Sequence, residues 1–420
     1  MIMGHGLCAL AGHHFFRRCK GYGGADLLEK RIRIALVDFS VDGHHAEYAT
    51  RLEHELQTEG VETVAVGSPE FVRVMDPSGT SLLRGVVTLD MNPARHSLLG
   101  NIVIRIMCLR KVAAIARRYR CDVVHLLSID GYVLPVVVAM PFFRNIGICG
   151  TLHAAAPTKV KTDFQHRVGQ KLTSICVRRL ARSGGVLMCH SMRHASALRQ
   201  QGGTVLYVPF PSLCSRSEPG EAELLRGAIR GSLGIRNSDR LLLLFGPTSR
   251  YKGIRTALEV LSLLPEQYHL LLAGQETEVR RDDIMERSTI LGVSSRLHLH
   301  LSFVPQTEVE GYFVASDVVL IPYSEDFRGQ SGPLIIAAAL GIPVVASRVE
   351  VLADTIAEYD IGKTFNPGDA QDCVRQIISV SGNRLSEATT QRFVSVRDIH
   401  VYAKTVQVAY KCAERDRSRH

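Results

Sequence analysis

Apolar residues along this chain of 420 residues fall into short unbroken runs, separated by stretches in which apolar and polar positions recur with a helical period. The run IRIALVDFS, from Ile32, predicts a buried strand. The turn VDGHH follows it, and then an amphipathic helix, AEYATRLEHELQTEG, that ends at Gly60. VETVAVGS is the next strand. A long helix over roughly 97–120 precedes the strand CDVVHLLSID, and GICGTLHA and GGVLMCHS follow as strands with basic helical segments between them. The alternation restarts at Arg240 with the strands RLLLLFG, YHLLLAG, RLHLHLSF, DVVLIPY and PVVAS, and fades near Gly382. Strands and helices in alternation predict parallel sheets joined by right-handed crossovers, hence the α/β class. Four segments follow. Residues 1–30 lack periodicity and are expected to be a disordered or extra N-terminal segment. Residues 31–210 form a first domain, 211–390 a second, and 391–420 a C-terminal helix. The polar stretch from Ser215 to Arg240 reads as an interdomain connection carrying one short helix.

Composition narrows the class of protein. Hydrophobic content of 46% with 22% charged residues is ordinary for a soluble globular chain, and the absence of tryptophan argues against a carbohydrate-stacking module built on that residue. Ten cysteines occur without a CxxC pair or a secretory signal, which favours reduced thiols and a cytoplasmic location. Cys8, His13, His14 and Cys19 have the chemistry of zinc ligands, but they sit in a glycine-rich arm with no matching core, and a simple leader is the preferred reading. Residues 126–143 come nearest to a membrane span of ~18 apolar residues. Asp130, Gly131 and Pro135 interrupt that run, so a strand, turn and helix account for it better.

The net charge of +9 is unevenly placed: between residues 95 and 215 there are seventeen Lys and Arg against three acids. NIVIRIMCLRKVAAIARRYR and HRVGQKLTSICVRRLARSG set apolar positions against basic ones, as in helices that lie on anionic lipid, so an anionic membrane surface is a candidate partner and peripheral attachment a candidate state. A core helix with a solvated basic face is the competing reading. Nucleic acid is not expected, because the basic segments lack interleaved aromatic residues.

Residues 241–347 carry the chemistry. LLLLFGPTSRYKG and DVVLIPYSEDFRGQSGP each run from an apolar strand through a glycine-bearing turn into a helix start, an arrangement that aims backbone N–H groups and a helix dipole at an anion. Arg250 and Lys252 suit a diphosphate; Ser331 and Gly332 suit its distal end, and Glu325 suits sugar hydroxyls. Gly246, Arg250-Tyr251-Lys252-Gly253, Pro322-Tyr323, Glu325, Ser331-Gly332 and Gly341-Ile342-Pro343-Val344-Val345-Ala346-Ser347 together resemble the group 1, family 4-like, retaining glycosyltransferases. That resemblance covers 32–390, more strongly in the second domain. It implies the GT-B fold, two Rossmann-like doubly wound domains facing a cleft, with the C-terminal helix crossing back to the first domain.

The resemblance also implies a nucleotide-diphosphate-sugar as donor, a glycan or lipid-linked acceptor, retention of configuration, and no metal or cofactor. By it, Gly246, Arg250, Lys252, Ser331 and Gly332 bind the donor phosphates, and His153, Lys252 and Glu325 are catalytic. The chain departs from the common pattern in two ways. It carries Gln330-Ser331-Gly332 at the second turn, and Ile336 stands near the position where relatives have a second glutamate for the ribose. In the first domain Gly43 is the candidate on the acceptor side, or simply a tight βα turn. His153, at the C-terminal end of a predicted strand, faces the expected interdomain cleft. His125 is read as a hydrogen-bonded strand residue, and His190 and His194, spaced i, i+4, lack the glutamate of a metalloprotease helix. Asp282-Asp283 has the wrong spacing for an Asp-x-Asp metal motif and reads as a helix start. A non-catalytic GT-B scaffold and a GT-B sugar-nucleotide epimerase remain the alternatives.

Overall fold

The computed structural model describes residues 32–39, 45–76, 84–87, 98–130, 132–153, 164–214 and 216–417. Gly43 and the Cys8, His13, His14, Cys19 group lie outside them. The chain divides into two compact units, Met1–Pro211 together with Arg397–His420, and Ser212–Val396.

The first unit is built on seven parallel strands: β1 (Arg33–Asp38), β2 (Glu62–Gly67), β3 (Arg84–Val86), β4 (Val123–Leu126), β5 (Gly147–Leu152), β6 (Val186–Cys189) and β7 (Val205–Tyr207). Their order is β3-β2-β1-β4-β5-β6-β7. The chain therefore winds outward from β1 in one direction, returns, and winds outward in the other, so the sheet has a topological switch point between β1 and β4. Five of the six residues of β1 and all four of β4 are buried. That is why these strands read as continuous apolar runs rather than alternating ones.

The second unit repeats this plan with β8 (Arg240–Phe245), β9 (Tyr268–Ala273), β10 (Leu297–His300), β11 (Val318–Ile321), β12 (Val344–Ser347) and β13 (Gly362–Phe365), in the order β10-β9-β8-β11-β12-β13. Its switch point lies between β8 and β11, which pair in parallel with Val318 opposite Leu242. The segment expected to be a connection is instead part of this unit. Its helix Pro219–Ser232 packs on the helix Gln306–Ala315, and its arginines reach the sheet. Arg226 and Arg230 bond the two carboxylate oxygens of Asp317 at 2.8 and 3.1 Å, and the Leu241 N–H donates to Asp317 at 2.8 Å. Burial works against the Asp317 charge, but these donors outweigh it and hold the carboxyl below its ordinary range.

β3, β7 and β13 are absent from the strands expected from sequence. All three are edge strands of three or four residues, too short to produce a period. The tail, expected as one helix over 391–420, belongs to two. Glu387–Ser395 packs in the second unit, whereas Ile399–Arg417 lies on β5, β6 and the helix His45–Thr58 of the first. Asp398 makes the break by capping the second helix, its side chain accepting from the N–H groups of His400 and Val401 at 2.9 and 3.1 Å.

The basic helix Leu98–Arg118 is partly engaged within its own unit. Arg105 lies over the Tyr132 ring at 4.7 Å, Arg110 over Phe142 at 5.8 Å, and Arg117 donates to the Phe142 carbonyl at 2.6 Å. Leu99, Val103 and Met107 of the same helix are exposed, as are Leu172 and Ile175 of the helix Phe164–Arg182. No helix among the described residues is long and apolar enough to cross a membrane. Among the described cysteines seven are free thiols, six of them buried.

His125 on β4 is fully buried, with Nδ1 against the Tyr410 hydroxyl and Nε2 against Thr151 Oγ1, both at 2.8 Å. Burial, aided by the nearby His153, pulls its pKa down to about 3. The unfolded chain protonates this residue near pH 6.5, the folded chain only near pH 3, so stability is to decline as pH falls through that window. Urea denaturation across pH 3–7 tests this expectation, with His125→Gln predicted to flatten the decline by several kcal/mol.

Candidate functional site

The two glycine turns singled out in the sequence emerge side by side at the C-terminal ends of β8 and β11, at the switch point of the second sheet. After β8 the backbone passes through Gly246, with φ of +110°, into the short helical turn Arg250–Lys252, which Gly253 ends at φ of +70°. A Cβ on Gly253 would lie 1.8 Å from the Pro322 carbonyl oxygen, so only glycine allows the β8 turn to touch the β11 turn here. A backbone bond from Ser324 N–H to the Tyr251 carbonyl, 2.8 Å, joins the same two turns.

Lys252 fills the space between them and is only 3% exposed. Its ammonium donates to the Phe245 carbonyl at 2.9 Å and to the Tyr323 hydroxyl at 2.8 Å, and it lies 4.8 Å from the Tyr323 ring centroid. Burial pulls its pKa down from 10.5 to about 8, with Tyr251 acting weakly the other way. Tyr323 is itself buried, which raises its pKa well above the ordinary phenol value, so it keeps its proton. Its hydroxyl stands 3.4 Å from Ser331 Oγ. Ser331 caps the helix Gly332–Ala339, accepting from Leu334 N–H at 3.3 Å, with Pro333 in the first turn. Lys252, Tyr323 and Ser331 therefore form one connected group at a helix N-terminus, the polarity that suits an anion.

The other expected residues fall into place less uniformly. Gly246 backs Lys252, since a Cβ there would meet Nζ at 2.7 Å. Gly332 has open space where a Cβ would go, so its lack of a side chain is not required by packing. Glu325 is exposed on the loop after Tyr323. Arg250 is exposed as well, and its N–H donates to Glu278 at 2.8 Å. It lines a cavity of about 610 Å³ with Arg255, Arg287, Glu278, Asp283 and Glu286, whose walls include neither Lys252 nor Ser331. Tyr323 and Phe327 were missing from the expected set of functional residues. Phe327 stacks on Tyr251 with centroids 5.4 Å apart and meets Tyr323 at 4.7 Å, walling the turn. The Pro-Tyr pair after an apolar strand was the available signal. Asp282 and Asp283 start the helix Arg281–Ile290, and no group of three metal-ligating side chains occurs among the described residues.

In the first unit His153 follows β5 directly. Its N–H donates to Asp130 at 2.9 Å and its Nε2 lies 2.7 Å from the Leu127 carbonyl, which can only accept, so Nε2 carries a proton. The His190 ring lies 4.9 Å away, and His190 Nδ1 donates in the same manner to the Val208 carbonyl at 2.7 Å.

Residues 239–383 match the family model of glycosyl transferases group 1. That match lies within the second unit. Lipopolysaccharide glucosyltransferase WaaG of Escherichia coli K12 is 26% identical over 184 residues, covering 42% of this chain and 47% of that protein. The chain spans less than half the length of that curated relative. Solved structures agree on the fold over nearly the whole chain. A glycosyltransferase from Rickettsia africae has a TM-score of 0.69 at 15% identity, covering 91% of this chain and 98% of the other. Anabaena HepE in complex with UDP-glucose has a TM-score of 0.62 at 17% identity, covering 92% and 99%. At these identities the likeness shows the fold, two parallel-sheet Rossmann-like units of the GT-B type.

The contact of Gly253 with Pro322 predicts that Gly253→Ala destabilises the second unit by about 3 kcal/mol or more, since both the positive φ and the backbone collision oppose a side chain. Gly332→Ala, with open space, should leave the urea midpoint within error.

Proposed function

We propose that the protein transfers a sugar from a nucleotide-diphosphate donor to a glycan or lipid-linked acceptor, with retention of configuration and without a metal. The observation that carries this reading is the buried ammonium of Lys252, joined through Tyr323 to the Ser331 cap above the β8 and β11 switch point. An ammonium has three N–H donors, and the two bonds to Phe245 and Tyr323 leave one for an anion. As the glycosidic bond breaks, negative charge grows on the departing diphosphate. A cation already held in place, a serine hydroxyl and the N-terminus of a helix stabilise that charge with little reorganisation. Arg250 and Glu325, both at the surface, would close on the donor once it is bound, and His153 is read as the catalytic residue of the first unit.

The relative's printed name, a lipopolysaccharide glucosyltransferase, and the UDP-glucose in Anabaena HepE support a hexosyl donor of this kind. Ile336 lies half-buried on the Gly332–Ala339 helix, so the ribose would be held differently from that of relatives with a glutamate there. A non-catalytic scaffold would bind the donor without turning it over. An epimerase would interconvert free nucleotide-sugars without consuming an acceptor.

Lys252→Met separates function from stability. Holding a charged lysine where its pKa drops from 10.5 to about 8 costs the fold roughly 3 kcal/mol, so the methionine variant should be at least as stable as wild type. Turnover should nevertheless fall by ~10²-fold or more. Gly332→Ala should weaken UDP binding in calorimetry while leaving stability alone, because the added methyl would stand where the distal phosphate sits. Wild-type turnover is expected to persist in EDTA, and donor binding is to weaken above pH 8 as Lys252 loses its proton. Turnover by Lys252→Met at the wild-type rate would remove the assignment.

The exposed Leu99, Val103 and Met107, beside the basic residues of the same helix, support docking of the first unit on an anionic bilayer as the place where a lipid-linked acceptor is met. Liposome co-sedimentation should show binding to acidic vesicles that falls as salt rises, and Arg118→Gln with Lys111→Gln should reduce it. Equal sedimentation with neutral vesicles counts against it.

A further inference from the structure

Behind His153 lies a buried network that no motif in the sequence points to, and half of it comes from the far end of the chain. Tyr48, on the helix His45–Thr58, and Tyr402, on the helix Ile399–Arg417, pair their hydroxyls at 2.7 Å across 354 residues of sequence. Both side chains are fully buried or nearly so, and the Thr151 hydroxyl interacts with both. Thr151 stands two residues before His153 on β5 and is held in turn by His125, which Tyr410 anchors from the same C-terminal helix.

These groups converge on the His153 imidazole. The Tyr48 ring meets it edge-on with centroids 6.0 Å apart, Phe210 at 5.9 Å, and His190 at 4.9 Å. Two of these three rings are themselves in contact with Tyr402, Tyr48 at 5.7 Å and His190 at 6.4 Å. The Leu127 carbonyl fixes one ring nitrogen of His153, and the surrounding rings fix the plane about it. Core packing alone would be served by phenylalanine at 48 and 402. A buried hydroxyl is unfavourable unless bonded, and here the two hydroxyls bond to each other, which fixes the direction of the Tyr48 ring axis beside the imidazole.

We infer that Tyr402 is a positioning residue for His153, acting through Tyr48 and His190, so that the C-terminal helix completes the site of the first unit. The importance of this for turnover rests on the reading of His153 as an active-site residue.

The test uses the full chain labelled with ¹⁵N-histidine. The imidazole signals of His153 are identified by their loss in His153→Gln, and are compared between wild type and Tyr402→Phe, a near-isosteric change that removes one hydroxyl. The expected result is a shift of the His153 ring nitrogens, with kcat lower by ~10-fold and the donor KM within about twofold, the pattern of a misplaced group rather than a lost binding contact. Tyr48→Phe should shift the same signals in the same sense. If the His153 signals of both variants superimpose on wild type while the melting temperature falls, Tyr402 merely holds the helix down and the inference is overturned. Should His153→Gln turn over at the wild-type rate, it is the active-site reading that fails, while the ring signals still decide whether Tyr402 positions His153.

Discussion

The second unit is organised by one close approach, that of the Gly253 backbone to the Pro322 carbonyl. Neighbouring parallel strands deliver their C-terminal turns to the same end of the sheet, but turns with side chains would have to splay apart. With glycine at the contact they touch, and the narrow space between them takes Lys252. The ammonium then has a strand carbonyl on one side and a phenol on the other, and water is largely excluded. The depressed pKa, the proton kept on Tyr323 and its reach to the Ser331 cap all follow from that exclusion. A charge kept buried at a cost of roughly 3 kcal/mol, where methionine would fit, is better explained by work done on a ligand than by stability.

Much of the fold was legible because both sheets are buried on both faces at their centres. β1, β4, β8 and β11 are written as unbroken apolar runs, and the helices between them carry clear caps and glycine stops. Legibility failed at the edges. GKTF of β13 and RGV of β3 hold too few apolar residues to signal a strand, and they pair only because a stronger neighbour presents its backbone. The stretch that carries the helix Pro219–Ser232 read as a connection between domains for a related reason. Its arginines look like surface residues in sequence, yet Arg230 is buried against Asp317, eighty-seven positions away, and sequence shows no such pairing.

The candidate site was legible to the extent that it is made of backbone turns. Lys252, Gly253, Ser331 and Gly332 stand in a local pattern of glycine, cation and cap. Tyr323 acquired its role only through the packing of two turns seventy residues apart. Charge was the least legible property of all. Counting Lys and Arg does not show that Arg105, Arg110, Arg117 and Arg118 lie on aromatic rings or bond a carbonyl of their own unit. These partners are neutral, so the charges are held in place rather than cancelled, while Leu99, Val103 and Met107 add apolar surface that the count ignores.

The C-terminal helix gives the first unit a discontinuous chain, and this has a consequence for how the unit forms. Its sheet is complete by Tyr207, but Tyr48 and His125 still lack the hydroxyls of Tyr402 and Tyr410 that pair with them in the finished structure. Until the second unit has been traversed, these buried polar groups have only water or one another as partners, and leaving such groups unpaired in a core is unfavourable. The loop to be closed is long, though the entropy of closure grows only slowly with length. A first unit cut off before Arg397 would thus keep its strand order and lose the packing that holds β5 and the imidazole beyond it. The Tyr48 and Tyr402 contact therefore joins the first unit to itself across the whole sequence of the second.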